Sequence, residues 1–322
     1  MTVAISCGEP AGIGPEIAAD AWRALRNDIP MLWIGDPSHL PSDIPVTVVT
    51  DPSSAAASSP MSLPVLPIAT GAPRQPGQLN HAHAAGVIAA IEEGARLARA
   101  GQCTALCTAP IHKQALAEGA AFRFPGHTEF LASLDDKDHV VMMLACSDLR
   151  VAPVTIHIPL SEVARRFTSG LLEKTILTTH NALKHDFGIE RPRIAVAGMN
   201  PHAGEGGRMG REEIEVIAPV IARLRDLGVN VFGPMSADTM FHPTARTSYD
   251  AAICAYHDQA LIPIKTIDFS GGVNVTLGLD FIRTSPDHGT ALDIAGKGIA
   301  DPTSMIAAIR MAWEMGQKRH QK

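Results

Sequence analysis

Aromatic side chains are scarce, making up 4% of the 322 residues. An interior with so few rings is filled by Ala, Val, Ile, Leu and Met, which suits helices laid on a parallel sheet. Long apolar runs are missing too. None approaches the roughly 20 residues of a membrane span, and MTVAISCGEPAG has no basic leader ahead of an apolar stretch, so a cytoplasmic protein is expected. Lys and Arg are scattered, and the formal net charge is -6. That balance leaves no electrostatic footprint for nucleic acid or an anionic membrane. Five cysteines (Cys7, Cys103, Cys107, Cys146 and Cys254) form no paired framework. The one close pair is spaced C-x3-C with no second pair to complete a zinc site, so all five read as small core residues.

Nucleotide fingerprints are absent as well. A dinucleotide-binding loop would read G-x-G-x-x-G between a strand and a helix, but Gly12 and Gly14 are followed by Ile17, Gly204 and Gly206 by Met209, and Gly296 and Gly298 by Asp301. A P-loop fails because AGKG puts Gly298 where Ser or Thr must hold magnesium. GEPAGIGPE, Gly8 to Glu16, reads as a tight strand-to-helix turn with Pro15 at the first helical position. A close approach of this loop to a ligand, at the carboxyl end of the strand, is its second reading.

The chain is about twice a typical single domain, so one large α/β unit or two modest domains is the starting expectation. Short β-rich runs alternate with helical patterns: TVAISC, MLWIGD, TALCTAP, VVMMLA, VAPVTIHI, RIAVAGMN, VNVFGP, AAICAY and GVNVTLGL. Alternation of this kind predicts parallel sheets with crossover helices. Helices are expected over Ala82 to Arg99, Ser161 to His185 with Ser161 as N-cap, Arg211 to Leu227, and Thr303 to Met315 with Gly316 as the C-terminal stop. Residues 51 to 64, DPSSAAASSPMSLP, read as a loop. With no internal repeat and no clean linker, the domains are expected to be discontinuous.

Three histidines share one kind of position. His157 ends VAPVTIH, His202 follows IAVAGMNP, and His257 follows AAICAY. Each sits at or just past the carboxyl end of an apolar run, so parallel strands of one sheet would carry them to one rim. Three imidazoles with open positions suit a catalytic divalent metal, and Asp238 and Asp258 are carboxylates able to complete the shell or orient a ring. Singly, each histidine reads better as an ordinary surface or hydrogen-bonded residue; taken together, the metal reading is ahead. An anion site is also visible: Lys265, Asn274 and Arg283 recur at intervals of nine residues, and GHTE places His127 and Thr128 at a helix start.

Taken in order, GEPAGIGPE, TAPIHK, GHTEFLA, VVMMLA, NPHAGEGG with GREE, ADTMF, YHDQALIPIK, GGVNVTLGL and RTSPDHGTALDIAGKG resemble the PdxA family of 4-hydroxythreonine-4-phosphate dehydrogenases. The matches run from residue 8 to about residue 300. The resemblance implies an α/β fold like isocitrate and isopropylmalate dehydrogenases, two α/β domains with a cleft between them. A cofactor-side domain is expected over 1-134 and 268-322, and a central domain with the metal site and dimer interface over 135-267. It implies a homodimer whose shared metal, Zn, Mg, Mn or Co, is held by His157, His202 and His257. Substrate contacts implied by motif are His127, Thr128, Lys265, Asn274 and Arg283. The segment Asp287 to Gly298 is similar to an adenosine-binding loop, which gives His288, Gly289, Thr290, Ala291 and Asp293 as contacts for NAD or NADP.

The implied reaction is metal-dependent oxidation of 4-phosphooxy-L-threonine at C3, followed by decarboxylation to 3-amino-2-oxopropyl phosphate, a step of vitamin B6 biosynthesis. Asp238 is the first candidate for the base and Lys265 the second, with His127 a third. One departure stands out: the family usually reads TLGLP, and this chain has Asp280 after Leu279. A carboxylate there could pair with Arg283 or repel phosphate, which keeps open a paralogous dehydrogenase for threonate or erythronate 4-phosphate. An acyl-phosphate transferase and a two-lobed solute-binding protein are more distant readings.

Overall fold

The computed structural model describes residues 1-320 and divides into two compact units, Met1–Asp138 with the segment from Leu279 onward, and His139–Gly278. In chain order the strands are β1 Val3–Ser6, β2 Met31–Gly35, β3 Val46–Val48, β4 Leu63–Pro67, β5 Ala105–Thr108, β6 Val141–Ala145, β7 Arg150–Pro153, β8 Ile194–Ala197, β9 Val231–Met235, β10 Ala251–Cys254, β11 Val273–Leu277 and β12 Arg283–Pro286. The mixed α/β class is as expected from the alternation.

The first unit carries a parallel sheet in the order β3-β4-β2-β1-β5-β12. Its central strands VAIS, MLWIG and ALCT are buried along their whole length. Continuous apolar runs of this kind are what a parallel sheet needs when helices cover both faces. Helices Gly14–Leu25, Ala84–Arg99 and Thr303–His320 supply that cover.

In the second unit the order is β11-β6-β7-β10-β8-β9. Here the all-parallel expectation fails. β6 runs antiparallel to both β11 and β7, with Leu144 opposite Val151 and Asn274, while β7, β10, β8 and β9 are parallel. The connection from β6 to β7 is too short for a crossover helix, so the two form a hairpin. β11 pairs with β6, which places 273-277 in this unit; the divisions fall at 138/139 and 278/279, against expected ones at 134/135 and 267/268.

Several elements differ from their sequence reading for identifiable reasons. The helix expected over Ser161 to His185 is two, Leu160–Arg166 and Ser169–His185, because Thr168 adopts an extended backbone and its hydroxyl accepts from Leu171 N at 3.2 Å as a new N-cap. Ser161 lies inside the first helix, after Pro159 as N-cap. The Arg211 to Leu227 helix opens with a π-turn over Glu213–Ile217 before the α-helix Ala218–Asp226. Gly316 does not stop the last helix, which runs on to His320. Its α-carbon lies against Thr104, where an added methyl would sit 2.9 Å from the backbone oxygen. Within 51-64, Asp51 caps a short turn, Ala55–Ser58 is helical and Leu63 begins β4.

Candidate active site

In the first unit, three cationic or imidazole side chains come near one another, Arg283 buried, His127 half-buried and Lys113 exposed. Arg283 begins β12 and is 3% exposed, its Nη2 donating to Thr108 Oγ1 at 2.7 Å at the end of β5. Burial pushes its guanidinium down to about 10. His127 is the first residue of helix His127–Leu134, next to Gly126 in an extended conformation. Burial, then the charges of Arg283 and Lys113, hold its ring well below the usual histidine range, so it is neutral. Its Nε2 is buried without a hydrogen-bond partner. Lys113 reaches the same place, with Nζ 3.7 Å from the position a Gly126 side chain would take. Glu129 Oε2 stands 3.5 Å from that same position and its charge acts on Arg283, so the group joins two cations, a neutral imidazole and one carboxylate at a helix start, where an anion is favoured.

The loop from Asp287 to Asp301 packs on the N-terminal glycine segment. Ile13 N donates to Thr290 O at 3.0 Å, and a side chain on Gly12 would meet that oxygen at 2.7 Å. Gly12 is therefore glycine because two loops touch there. Glu16 Oε1 accepts from Gly296 N at 2.6 Å and from Arg74 at 2.7 Å, and Arg74 also donates to Pro10 O. So the preferred reading of GEPAGIGPE as a strand-to-helix turn holds, with the added task of bracing a second loop. His288, Gly289 and Asp293 are exposed, Thr290 and Ala291 are half-buried, and Ala291 is in the left-handed region at φ 44. Exposed polar groups on a braced backbone fit the requirements of a dinucleotide.

The second unit holds the three predicted metal histidines. His157 follows β7 and His257 opens helix His257–Ile267 after β10; because β7 and β10 are paired, the two rings come within 5.7 Å, centroid to centroid. Both line a cavity of about 490 Å³ with Thr155, Tyr256 and Asp258. His257 Nδ1 lies 2.7 Å from Asp258 Oδ1, a carboxylate–imidazole pair that fixes the ring and directs Nε2 away from Asp258. This donor chemistry fits a divalent ion. His202 follows β8 in a different loop, and among the described residues no group of three or more His, Cys, Asp or Glu comes close enough to hold a metal. One chain thus brings together His157 and His257 and does not add His202.

The histidine loops are strained. His157 has φ 51, and His202, Ala203, Gly204, Glu205, Gly206 and Gly207 form six successive residues of positive φ. The three that are not glycine cost about 1–2 kcal/mol each, roughly 3–6 kcal/mol together. Strain of this size persists only where surrounding contacts over-determine it, and it concentrates at functional positions.

The remaining candidates divide similarly. Asp238 is exposed next to Ser236, whose hydroxyl donates to it at 2.5 Å, and that bond holds the carboxyl below its usual range. Lys265 lies in the helix begun by His257, its Nζ 5.2 Å from the Phe269 ring. Asn274 is on β11 with its Oδ1 buried and without a hydrogen-bond partner. All five cysteines are free and buried, and burial pushes the Cys7 and Cys107 thiols up to about 12, which removes them as nucleophiles.

Asp280 does neither of the things its position suggested. Its carboxylate bonds Lys137 Nζ at 2.6 Å on the surface, and its backbone N–H donates to Asp135 Oδ2 at 2.7 Å, a bond that proline could not make. Arg283 is buried against Thr108 instead. The sequence reading passed over Lys113 and Thr108, although TAPIHK carries both; their distance in sequence from Arg283 hid the contact.

Comparison with known proteins fits this picture. The family model of the pyridoxal phosphate biosynthetic protein PdxA matches residues 26-312. A 4-hydroxythreonine-4-phosphate dehydrogenase of Roseobacter denitrificans is 59% identical over 317 residues, 98% of this chain and 97% of its own. The crystal structure of 4-hydroxythreonine-4-phosphate dehydrogenase from Klebsiella pneumoniae superposes with a TM-score of 0.88 at 36% identity, covering 98% of both chains. A terephthalate 1,2-cis-dihydrodiol dehydrogenase from Burkholderia xenovorans is more distant, with a TM-score of 0.69, 29% identity and 98% of both chains covered. This chain belongs to the PdxA family.

Proposed function

We propose that the chain is a 4-hydroxythreonine-4-phosphate dehydrogenase. It oxidises C3 of 4-phosphooxy-L-threonine with NAD or NADP, and loss of carbon dioxide gives 3-amino-2-oxopropyl phosphate. The observation that carries this reading is the grouping of buried Arg283 with half-buried His127 and exposed Lys113, in a chain more than half identical to relatives bearing that name. Two cations at a helix start suit an anionic group, and a phosphate monoester supplies two negative charges. The threonate and erythronate alternative loses its support, because Asp280 is engaged by Lys137.

Arg283 and Lys113 hold the phosphate, with Thr128 at the helix start and the neutral His127 ring as hydrogen-bond partners. Lys265 and Asn274 are the further substrate contacts that the family motifs imply. When bound, a divalent ion polarises the oxygen on C3 and stabilises charge as carbon dioxide departs, while the nicotinamide accepts hydride. His157 and His257 supply two imidazoles, Asp258 orients the second, and His202 comes from the other copy in a homodimer. The exposed Leu160 and Ile262, on the same face as that histidine pair, support burial against such a copy. Imidazole donors suit zinc or cobalt better than magnesium. For the proton at the C3 oxygen we assign the Asp238 carboxylate, which the Ser236 hydroxyl holds ionised and so able to accept, with Lys265 as the second candidate. His288, Gly289, Thr290, Ala291 and Asp293 take the dinucleotide. No helix among the described residues is long and apolar enough to cross a membrane, and five free cysteines fit the reducing cytoplasm.

The test is a substrate comparison. Reduced nicotinamide should form with 4-phosphooxy-L-threonine and not with 4-hydroxy-L-threonine or a cis-dihydrodiol. Equal turnover of the unphosphorylated amino acid would overturn the phosphate-centred reading.

A further inference from the structure

We infer that Glu213 is a positioning residue for His202, acting through the left-handed turn that carries it; this rests on the reading of His202 as a metal ligand. The turn begins after Asn200 and covers His202 to Gly206. At its ends Ala203 N donates to Asn200 O at 3.1 Å, Met209 N to Gly204 O at 3.2 Å and Arg208 N to Glu205 O at 3.4 Å. A second hold on the strained turn comes from further along the chain.

Glu213 is 3% exposed and lies at the start of the π-turn Glu213–Ile217. Its Oε1 accepts from Asn200 N at 2.8 Å and its Oε2 from Asn200 Nδ2 at 3.0 Å, so one carboxylate grips the residue that enters the turn by both backbone and side chain. Glu212 adds a second acceptor for the same amide at 2.7 Å. The carboxylate also presses on the turn itself. A methyl group on Gly204 would stand 2.5 Å from Oε2, and one on Gly198, just after β8, 3.3 Å from Oε1. Glu213 therefore touches the chain before the turn, at its entry and at its centre. Without that wedge, relaxation toward right-handed backbone would swing the His202 imidazole, two residues past the grip, to a new direction. The π-turn has a matching purpose: its extra residue per turn re-aims the Glu213 side chain from the helix that follows.

This goes beyond the three imidazoles, since Glu213 contacts no substrate and no candidate ligand ring. It also accounts for the pattern NPHAGEGGRMGREE, in which Asn200, Gly204 and Glu213 form one device while His202 is its payload.

The experiment compares wild type with His202→Ala, Glu213→Gln and Glu213→Asp. Each protein is stripped of metal and checked for native circular dichroism and melting, and then titrated with Co²⁺ by calorimetry and by the ligand-field spectrum of the bound ion. The Gln variant sets an amide donor against Asn200 Nδ2, and the Asp variant withdraws the carboxylate from Gly204; affinity is read on whichever keeps the native fold. The expected result is a Co²⁺ affinity about 10- to 100-fold weaker with an altered spectrum, while metal-free melting changes little. Wild-type affinity and spectrum in the Glu213 variants, with Co²⁺ binding lost in His202→Ala, would overturn the positioning role and leave the metal reading intact. Wild-type Co²⁺ binding in His202→Ala would overturn the metal reading, and this inference with it.

Discussion

Replacing Arg283 by methionine should make the protein more stable and a poorer enzyme. In the folded chain, burial brings the guanidinium from 12.5 to about 10. A drop of that size disfavours the charged form by about 3 kcal/mol at neutral pH. The sign follows from linkage: the folded-state value lies below the unfolded one, so the penalty is present at pH below about 10 and fades as pH rises through the unfolded value. Methionine removes the buried charge and loses the bond to Thr108, worth about 1 kcal/mol. The net gain is about 2 kcal/mol in the absence of substrate, or several degrees in melting temperature at roughly 2–4 °C per kcal/mol. Phosphate binding moves the other way. Loss of charge-assisted hydrogen bonds of about 1.5–3 kcal/mol should raise KM roughly 10- to 100-fold. Urea unfolding and steady-state kinetics on the same preparations check both halves. An Arg283→Met protein that is destabilised by 2 kcal/mol or so and keeps the wild-type KM would refute the assignment of this pocket to phosphate.

Other outcomes follow from the same geometry. The His127 ring should remain neutral as pH falls through 6.5, read by its NMR chemical shifts; because the unfolded chain then takes up a proton the folded ring refuses, this residue lowers stability below that pH. Titration at or above 6.5 would contradict the buried cationic surroundings. Gly316→Ala should destabilise by about 1–3 kcal/mol in thermal unfolding, despite the better helix propensity of alanine, since the methyl group meets Thr104; a rise in melting temperature would show that the packing is looser. Asp280→Ala should leave KM within about twofold and stability within about 1 kcal/mol, because the Lys137 pair is at the surface. A large change in KM would return Asp280 to the substrate site.

Much of the fold is legible in the sequence because the strands of a parallel sheet are continuous apolar runs, and MLWIG or AAIC can hardly be anything else. The strands passed over are those without that signature. β3 is only VTV and largely exposed, β4 is LPVLP, with two prolines that read as loop, and β12 is RTSP, whose polar side chains are buried because Arg283 and Thr284 bond to Thr108 and Ala308. Thr168 splits a helix whose apolar periodicity continues across the break, which shows that a cap can override periodicity. At the site, most of the candidate side chains are legible one by one from their motifs, but which of them meet is not. Arg283 was visible, whereas its partner Thr108 and the cation Lys113 depend on β5 lying beside β12. His157 and His257 meet because β7 pairs with β10, a pairing that strand periodicity alone does not reveal.

The most direct measurement starts from metal-stripped protein supplied with 4-phosphooxy-L-threonine and NAD. Divalent ions are restored one at a time, and reduced nicotinamide and released carbon dioxide are followed together. The expected result is no turnover without metal, and equal molar yields of the two products once zinc or cobalt is returned. Full activity in the stripped protein, or nicotinamide reduction with no carbon dioxide under any ion, would contradict the account.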